Sequence, residues 1–183
     1  ELGIRYSADE FSGSLALFRI ERLNALTTDP VDSDFSVNSG EQRVDGVELE
    51  GRWQFNSALQ LQAGYAWMDG EIIESNDGDR GDKLGDLARH RVNLSANWQY
   101  NDDWSAFVRA NYSSGRPLIT GSAWQLDSYR LIGTGLRYQQ SNWSAQLAVN
   151  NLLDELYYTA SGNGFVVYPG EPQQASLQLM WQW

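Results

Sequence analysis

The sequence has no cysteine, a single histidine and no long apolar run. Without cysteine it can form neither a disulfide framework nor a thiolate metal site. Because His90 is the only histidine, an acid–base pair built from two histidines is excluded. No apolar stretch approaches the ~20 residues that a membrane-spanning helix requires, so a helical membrane protein is excluded as well.

Positive charge is also scarce. The 13 Lys and Arg residues are scattered singly among 24 Asp and Glu residues, which gives a formal net charge of −11. Binding to nucleic acid requires a basic face, so the sequence predicts no nucleic-acid partner. The chain opens directly on the strand-like segment Glu1–Ile4 rather than on a basic and then apolar leader, and we therefore expect a fragment or a processed product.

What the sequence does contain is a strict alternation of apolar and polar residues. Val92, Leu94 and Ala96 alternate with Asn93 and Ser95. A period of two is typical of strands that have one apolar and one polar face. This pattern predicts about nine strands: Glu1–Ser7, Phe11–Thr27, Glu41–Phe55, Leu59–Glu74, Arg91–Tyr100, Trp104–Ser113, Leu126–Tyr138, Trp143–Leu153 and Ala175–Trp183.

The lengths of the strands and of their connections indicate where the sheet lies. Most of the predicted strands have about ten residues or more, enough to cross a bilayer when tilted. Short connections alternate with long polar ones at Thr28–Gly40, Ser75–Ala88, Ser114–Ala123 and Asp154–Glu171. Outer-membrane barrels combine short periplasmic turns with long external loops in this way. The predicted fold class is all-β, an antiparallel transmembrane β-barrel whose last strand ends on the periplasmic side.

Aromatic residues on the apolar faces support the assignment of the short turns to the periplasmic side of the membrane. They lie beside the short turns or the C-terminus, where an aromatic girdle would meet the headgroups: Trp53, Phe55, Trp98, Tyr100, Trp104, Tyr138, Trp143, Trp181 and Trp183. The alternative is a soluble β-sandwich. A sandwich needs a bulky inward face and a turn every 8–12 residues or so, whereas this apolar face is rich in alanine and the strands are longer.

Five segments resemble the C-terminal half of TonB-dependent outer-membrane receptors. They match that family's motifs in order and spacing: Arg43–Gly51 (RVDGVELEG), Leu61–Asp69 (LQAGYAWMD), His90–Leu94 (HRVNL), Val149–Tyr158 (VNNLLDELYY) and Tyr168–Gln173 (YPGEPQ). Two departures are Ala88-Arg89 in place of a proline and Gln173 in place of an arginine.

The resemblance implies a fold and a function. Members form a barrel of about 22 strands with a plugged lumen, so residues 1–183 would be the C-terminal part of the barrel. The plug, the TonB box and the earlier strands would lie upstream. The expected activity is TonB-dependent import of a ferric siderophore at the bacterial outer membrane, with no covalent chemistry, no cofactor and no resident metal.

Two alternatives remain open at this point. The first is a receptor of the same family for cobalamin, haem or a glycan, because the motifs do not specify the cargo. If Glu1–Ser7 is set aside, about eight strands remain, which is the size of a small closed barrel filled by side chains. Such a barrel would have a structural or adhesion role.

Polar residues on the inward face supply the candidate site. Glu48, Glu50 and Arg52 alternate with outward apolar residues, so they should face the lumen, and the resemblance implies a contact with the plug. Anionic or aromatic siderophores suit Arg, Tyr and Trp side chains near the external rim. The candidates for ligand binding are Arg91, Asn111, Arg116, Trp124, Tyr129 and Tyr158, each of which has packing as its alternative role.

The last strand resembles the signal that the barrel assembly machinery recognises. Leu177, Leu179, Trp181 and Trp183 form its outward face, with Trp183 where phenylalanine is usual. The expected partners are therefore this machinery, the TonB energy-coupling complex, and outer-membrane lipid and lipopolysaccharide.

Overall fold

The computed structural model describes residues 1–160 and 166–183, and within them all regular structure is β. Nine strands form one antiparallel sheet in the order β1-β2-β3-β4-β5-β6-β9-β10-β13. Their bounds are β1 Leu2–Ser7, β2 Phe11–Thr28, β3 Ser36–Gln54, β4 Leu59–Glu74, β5 His90–Gln99, β6 Trp104–Ser113, β9 Tyr129–Gln139, β10 Trp143–Asn150 and β13 Gln174–Trp181. Two hairpins lie in the long connections: β7 Arg116–Pro117 with β8 Gln125–Leu126, and β11 Tyr158–Ala160 with β12 Val167–Pro169.

The predicted nine-strand antiparallel sheet is confirmed, and several predicted bounds are corrected. The third strand begins at Ser36, well before the predicted Glu41, because Thr28 pairs with Ser36 at the top of a long hairpin. Residues 126–128 are not part of the sheet, since Leu126 pairs with Arg116 in the small β7–β8 hairpin. The tenth strand ends at Asn150 rather than Leu153, where Asn151 turns the chain with a positive φ of 47°.

The two faces of the sheet differ as the alternation predicts. Leu94, Ala63 and Ala110 stand in one row across β4–β6, and Leu147 stands between Leu136 and Leu177. Leu94 is 49% exposed and Leu147 52% exposed. No large side chain among the described residues is fully buried. The sheet therefore has no internal hydrophobic core, and its apolar face is open to the surroundings.

The polarity of the faces reverses in the external halves of β2, β3 and β4. On the apolar side, the row that follows Leu17, Val47 and Trp67 carries charges instead. Seven residues there form six ion pairs of 2.6–3.6 Å; this outer-face belt comprises Arg19, Arg43, Asp45, Asp69, Glu71, Lys83 and Arg89. Facing the other way, the Phe18 ring covers Gly46, and Leu84 and Leu87 cover Gly70. The band of apolar residues across the apolar face thus ends at the row of Arg19, Asp45 and Asp69.

The short turns are closed by side chains. Asn56 Oδ1 accepts hydrogen bonds from the backbone N–H groups of Ala58 and Leu59, and Asn101 Oδ1 does the same for Asp103 and Trp104. Predicted girdle aromatics meet beside these turns, with ring centroids 4.7–5.4 Å apart: Trp53 with Phe55, Trp98 with Tyr100, Trp104 with Tyr138, and Tyr138 with Trp143. Across residues 1–160 and 166–183, no helix is long and apolar enough to cross a membrane.

Candidate functional site

An open groove of about 550 Å³ crosses the polar face of the sheet. It is lined by short residues, among them Ser14, Gly64 and Ser95, and by longer polar side chains such as Glu50 and Arg52. Strand register explains this arrangement. Arg5, Ser14, Glu50, Gly64, Asn93 and Asn111 occupy one row across β1–β6, and Ser12, Arg52, Gln62, Ser95 and Arg109 occupy the next.

The groove contains some of the predicted residues and adds others. Glu50, Arg52 and Asn111 line it, and Glu48 lies on the same face one row nearer the external end. Arg5 and Arg109 also line it, although the sequence analysis did not propose either as a site residue. The sequence could have identified them, because each is a single charged residue at a polar position of an alternating strand. Only the register shows that they face the same space as Arg52.

Arg91 and Tyr129 belong to a third row, on the external side of the groove. Ser113 of β6 pairs with Arg91 on one side and with Tyr129 on the other. The Tyr129 ring packs at a tilt against Tyr157 of the last long loop, with ring centroids 4.7 Å apart, and lies 5.9 Å from the guanidinium carbon of Arg116. The structure therefore brings Arg91, Asn111 and Tyr129 onto one face. Trp124 precedes β8 and Tyr158 begins β11, both in the long connections, and they are 76% and 43% exposed.

Arg116 is buried rather than presented to a ligand. Its Nε donates to Asp86 Oδ1 at 2.6 Å, and only 5% of the residue is exposed. Asp86 N donates to Pro117 O and Gly85 N to Thr120 Oγ1, so the two external loops 75–89 and 114–128 pack together. In this arrangement Arg116 joins the loops and does not line the groove.

The motif of residues 149–158 acts as a latch for the last long loop. Asn151 is buried; its Nδ2 donates to the carbonyl oxygens of Glu155 and Glu171, and its Oδ1 accepts from Glu155 N. Asp154 Oδ1 accepts from Gln173 N. The Tyr157 ring occupies the space where a β-carbon on Gly170 would be. These contacts tie the start of the loop to its end.

The sequence Asp77–Asp82 matches a calcium loop only in part, because Gly81 and Ala88 occupy positions where that loop has ligands, and Asp77 is engaged by the protein. Its carboxylate accepts hydrogen bonds from Thr28 N, Thr27 Oγ1 and Ser75 Oγ at 3.0–3.4 Å. Hydrogen bonds from Thr28 first, and then from Thr27 and Ser75, lower the pKa of Asp77 below its usual range despite partial desolvation. No group of three or more His, Cys, Asp or Glu able to hold a metal occurs in the part of the chain described.

The depressed pKa of Asp77 gives a pH prediction. The contribution of this carboxylate to loop stability should be complete above its ordinary pKa, near pH 4, and should be lost as the pH falls through the lower folded value. NMR titration of the aspartate carboxyl carbons should show Asp77 ionised below pH 4, and Asp77→Asn should abolish that signal. Asp34→Asn is the matched control. An ordinary titration of Asp77 would contradict the prediction.

Comparisons with known proteins identify the family that the chain resembles. Residues 1–152 match the family model described as TonB dependent receptor-like, beta-barrel. The metal-pseudopaline receptor of Pseudomonas aeruginosa is 30% identical over 172 residues, which are 91% of this chain and 24% of that protein. The ferrichrome outer membrane transporter/phage receptor of Escherichia coli is 24% identical, over 95% of this chain and 25% of that protein.

Solved structures agree on the fold. The siderophore receptor PiuA from Acinetobacter baumannii superposes with a TM-score of 0.83 at 22% identity, covering 97% of this chain and 26% of that one. The chain thus spans about a quarter of the length of its relatives. These relatives are receptors and transporters rather than enzymes, and TonB-dependent receptors lie in the outer membrane and interact with TonB. The chain belongs to the TonB-dependent receptor family of outer-membrane β-barrels.

Proposed function

We propose that this chain is the C-terminal part of the barrel of a transporter that captures a ferric siderophore and passes it through the lumen. The observation that carries the proposal is the groove on the polar face, directly behind an apolar face that contacts lipid. The relatives named for metal-pseudopaline, ferrichrome and siderophores support a metal chelate as cargo.

The edges of the sheet favour a large barrel over a small closed one. In the described residues β1 and β13 are the two edge strands and do not pair with each other. Unpaired backbone groups are costly in lipid, so these edges require further strands. Leu2–Ser7 pairs along its length with β2, whereas the eight-strand alternative leaves it out. We further propose that the protein catalyses no covalent reaction; its only histidine, His90, contacts the Tyr65 hydroxyl at 2.9 Å.

The test is uptake by the full-length receptor. Deletion of its gene in a strain without competing receptors should abolish growth on at least one ferric siderophore, and uptake of radioactive iron should require TonB. If the deletion strain instead fails to grow on cobalamin, haem or a glycan, that molecule is the cargo in place of a ferric siderophore. The proposal that the protein is a transporter would then still hold. Unchanged uptake of every cargo after deletion would refute the transport function.

We propose two further partners, each on the basis of a surface of the sheet. Lys83 and Arg89 in the outer-face belt are partly exposed where the apolar band ends, which supports contact with lipopolysaccharide headgroups. Leu177, Leu179 and Trp181 share the apolar face of β13, which supports recognition of this strand by the assembly machinery.

Removal of Trp183 should lower the amount of receptor in the outer membrane much more than the affinity of the molecules that do assemble. Its side chain is fully exposed after the end of β13, so it contributes little to the folded barrel itself. Quantitative blotting of outer-membrane fractions and a binding assay on the same cells separate the two effects. Equal losses in both would contradict a role in assembly.

A further inference from the structure

The external ends of the strands and the loops that follow them bury apolar side chains, as the sheet below them does not. Within the described residues, the buried apolar side chains all lie at this end of the molecule: Ala25, Ile72, Ala88 and Leu126. Two polar residues at the same end, Thr27 and Arg116, are buried to a similar extent. The external segments therefore pack against one another and not only against the strands that carry them.

The backbone of residues 82–86 forms hydrogen bonds on both sides, as a strand inside a sheet does. One side faces the external end of β4 and the other faces loop 114–128. Four bonds of 2.8–3.1 Å hold the segment in this place: Ile72 N to Asp82 O, Leu84 N to Gly70 O, Gly121 N to Lys83 O, and Asp86 N to Pro117 O. Loop 75–89 thus joins β4 to the next loop along the chain.

Side chains and a close backbone approach strengthen the contact between the two loops. Arg116 Nε donates to Asp86 Oδ1 at 2.6 Å, and Gly85 N donates to Thr120 Oγ1 at 3.0 Å. A β-carbon on Gly85 would lie 2.5 Å from backbone atoms of Ile119 and Thr120. Any larger residue at position 85 would therefore force the two loops apart.

The end of the β2–β3 hairpin is tied to the same loops. Asn76 Nδ2 donates to Thr28 O at 2.9 Å and to Ser39 Oγ at 3.1 Å. Thr28 N donates in turn to Asp77 Oδ1 at 3.1 Å. Residues 25–40, 75–89 and 114–128 are thus linked by a continuous series of contacts, and together they form what we call the external block.

We propose that the external block is one conformational unit, which opens and closes as a single body apart from the sheet below it. Segments that share buried side chains and hydrogen bonds open cooperatively, with one free energy of opening for all of them. A molecule that contacts any one of the three segments would then act on all three, because it shifts a single equilibrium. The unit does not depend on which cargo the receptor carries.

Hydrogen–deuterium exchange of the purified full-length receptor, read by mass spectrometry, compares the three segments directly. Gly85→Ala should raise exchange about tenfold in all three, because overpacking between the two backbones favours the open state. Asn76→Ala, at the other side of the block, should raise it about fivefold, again in all three. Gly51→Ala is the matched control, because its β-carbon makes only ordinary contacts within the sheet, and it should leave exchange in the block unchanged.

Heat-modifiable migration on gels shows whether each variant has formed its barrel. If Gly85→Ala does not assemble, Asp86→Asn replaces it, since this change keeps the size of the side chain and removes the charge that Arg116 contacts. Faster exchange confined to the segment that carries the substitution would overturn the inference, because the segments would then open separately. An equal rise in β5 and β6 would also overturn it, since the block would then open only together with the sheet.

Discussion

Replacing Leu94 by arginine should largely prevent accumulation of the receptor in the outer membrane, whereas replacing its neighbour Asn93 by arginine should be tolerated. The two residues are adjacent in the middle of β5 and point to opposite faces. Leu94 stands between Ala63 and Ala110 on the apolar face, and Asn93 lines the polar groove. An arginine that faces lipid near the midplane costs about 2–4 kcal/mol, and one in a hydrated lumen avoids that cost.

The pair of variants controls for side-chain size, charge and strand position at once. The measurement is the amount of folded receptor, judged by heat-modifiable migration of outer-membrane fractions on gels. If Leu94→Arg assembles as well as Asn93→Arg, the assignment of the apolar face to lipid is wrong.

Gly170→Ala should release the last long loop without unfolding the sheet. The new methyl group would displace the Tyr157 ring, which packs against Tyr129 and whose hydroxyl accepts a hydrogen bond from Glu171 N. Overpacking of this kind costs about 1–3 kcal/mol. Opening of the loop, and hence its cleavage by protease, should rise by about tenfold or more.

Gly51→Ala is the matched control, because its β-carbon would make only ordinary contacts with Phe11 at 3.8 Å. Limited proteolysis of whole cells, with the cleavage sites mapped by mass spectrometry, reports on the loop between Asp154 and Glu171. Equal resistance of Gly170→Ala and the wild type would show that the latch does not hold the loop.

Much of the sheet was predictable because each strand carries its own pattern. Alternation in 91–100 and 104–113 located β5 and β6 within a residue. The start of β3 was predicted too late because Ser36–Gly40 is polar and resembles a loop, and the end of β10 was predicted too late because Leu152 and Leu153 remain strand-like. There, a long hairpin extends β3 backward to Ser36, and the buried Asn151 turns the chain after β10.

The site was harder to predict because it depends on register across six strands. Asn111 and Arg52 were recognised singly, but their proximity to Arg5 follows from pairings that no local pattern specifies. Arg116 was proposed as a ligand contact, yet its partner Asp86 lies 30 residues away in another loop. The outer-face belt was missed for a related reason, since Arg19 and Asp45 occupy positions of the apolar face whose polarity reverses only beyond the lipid.

The most direct test of the account is a spin-label scan along β5 in the full-length receptor. Single cysteines would be placed from Val92 to Gln99 and labelled, in a background where this chain contributes no other cysteine. Accessibility to oxygen should peak at Val92, Leu94, Ala96 and Trp98, and accessibility to a water-soluble nickel reagent should peak at the residues between them. Loss of this period of two, or high nickel accessibility on both faces, would contradict a strand that separates lipid from an aqueous lumen.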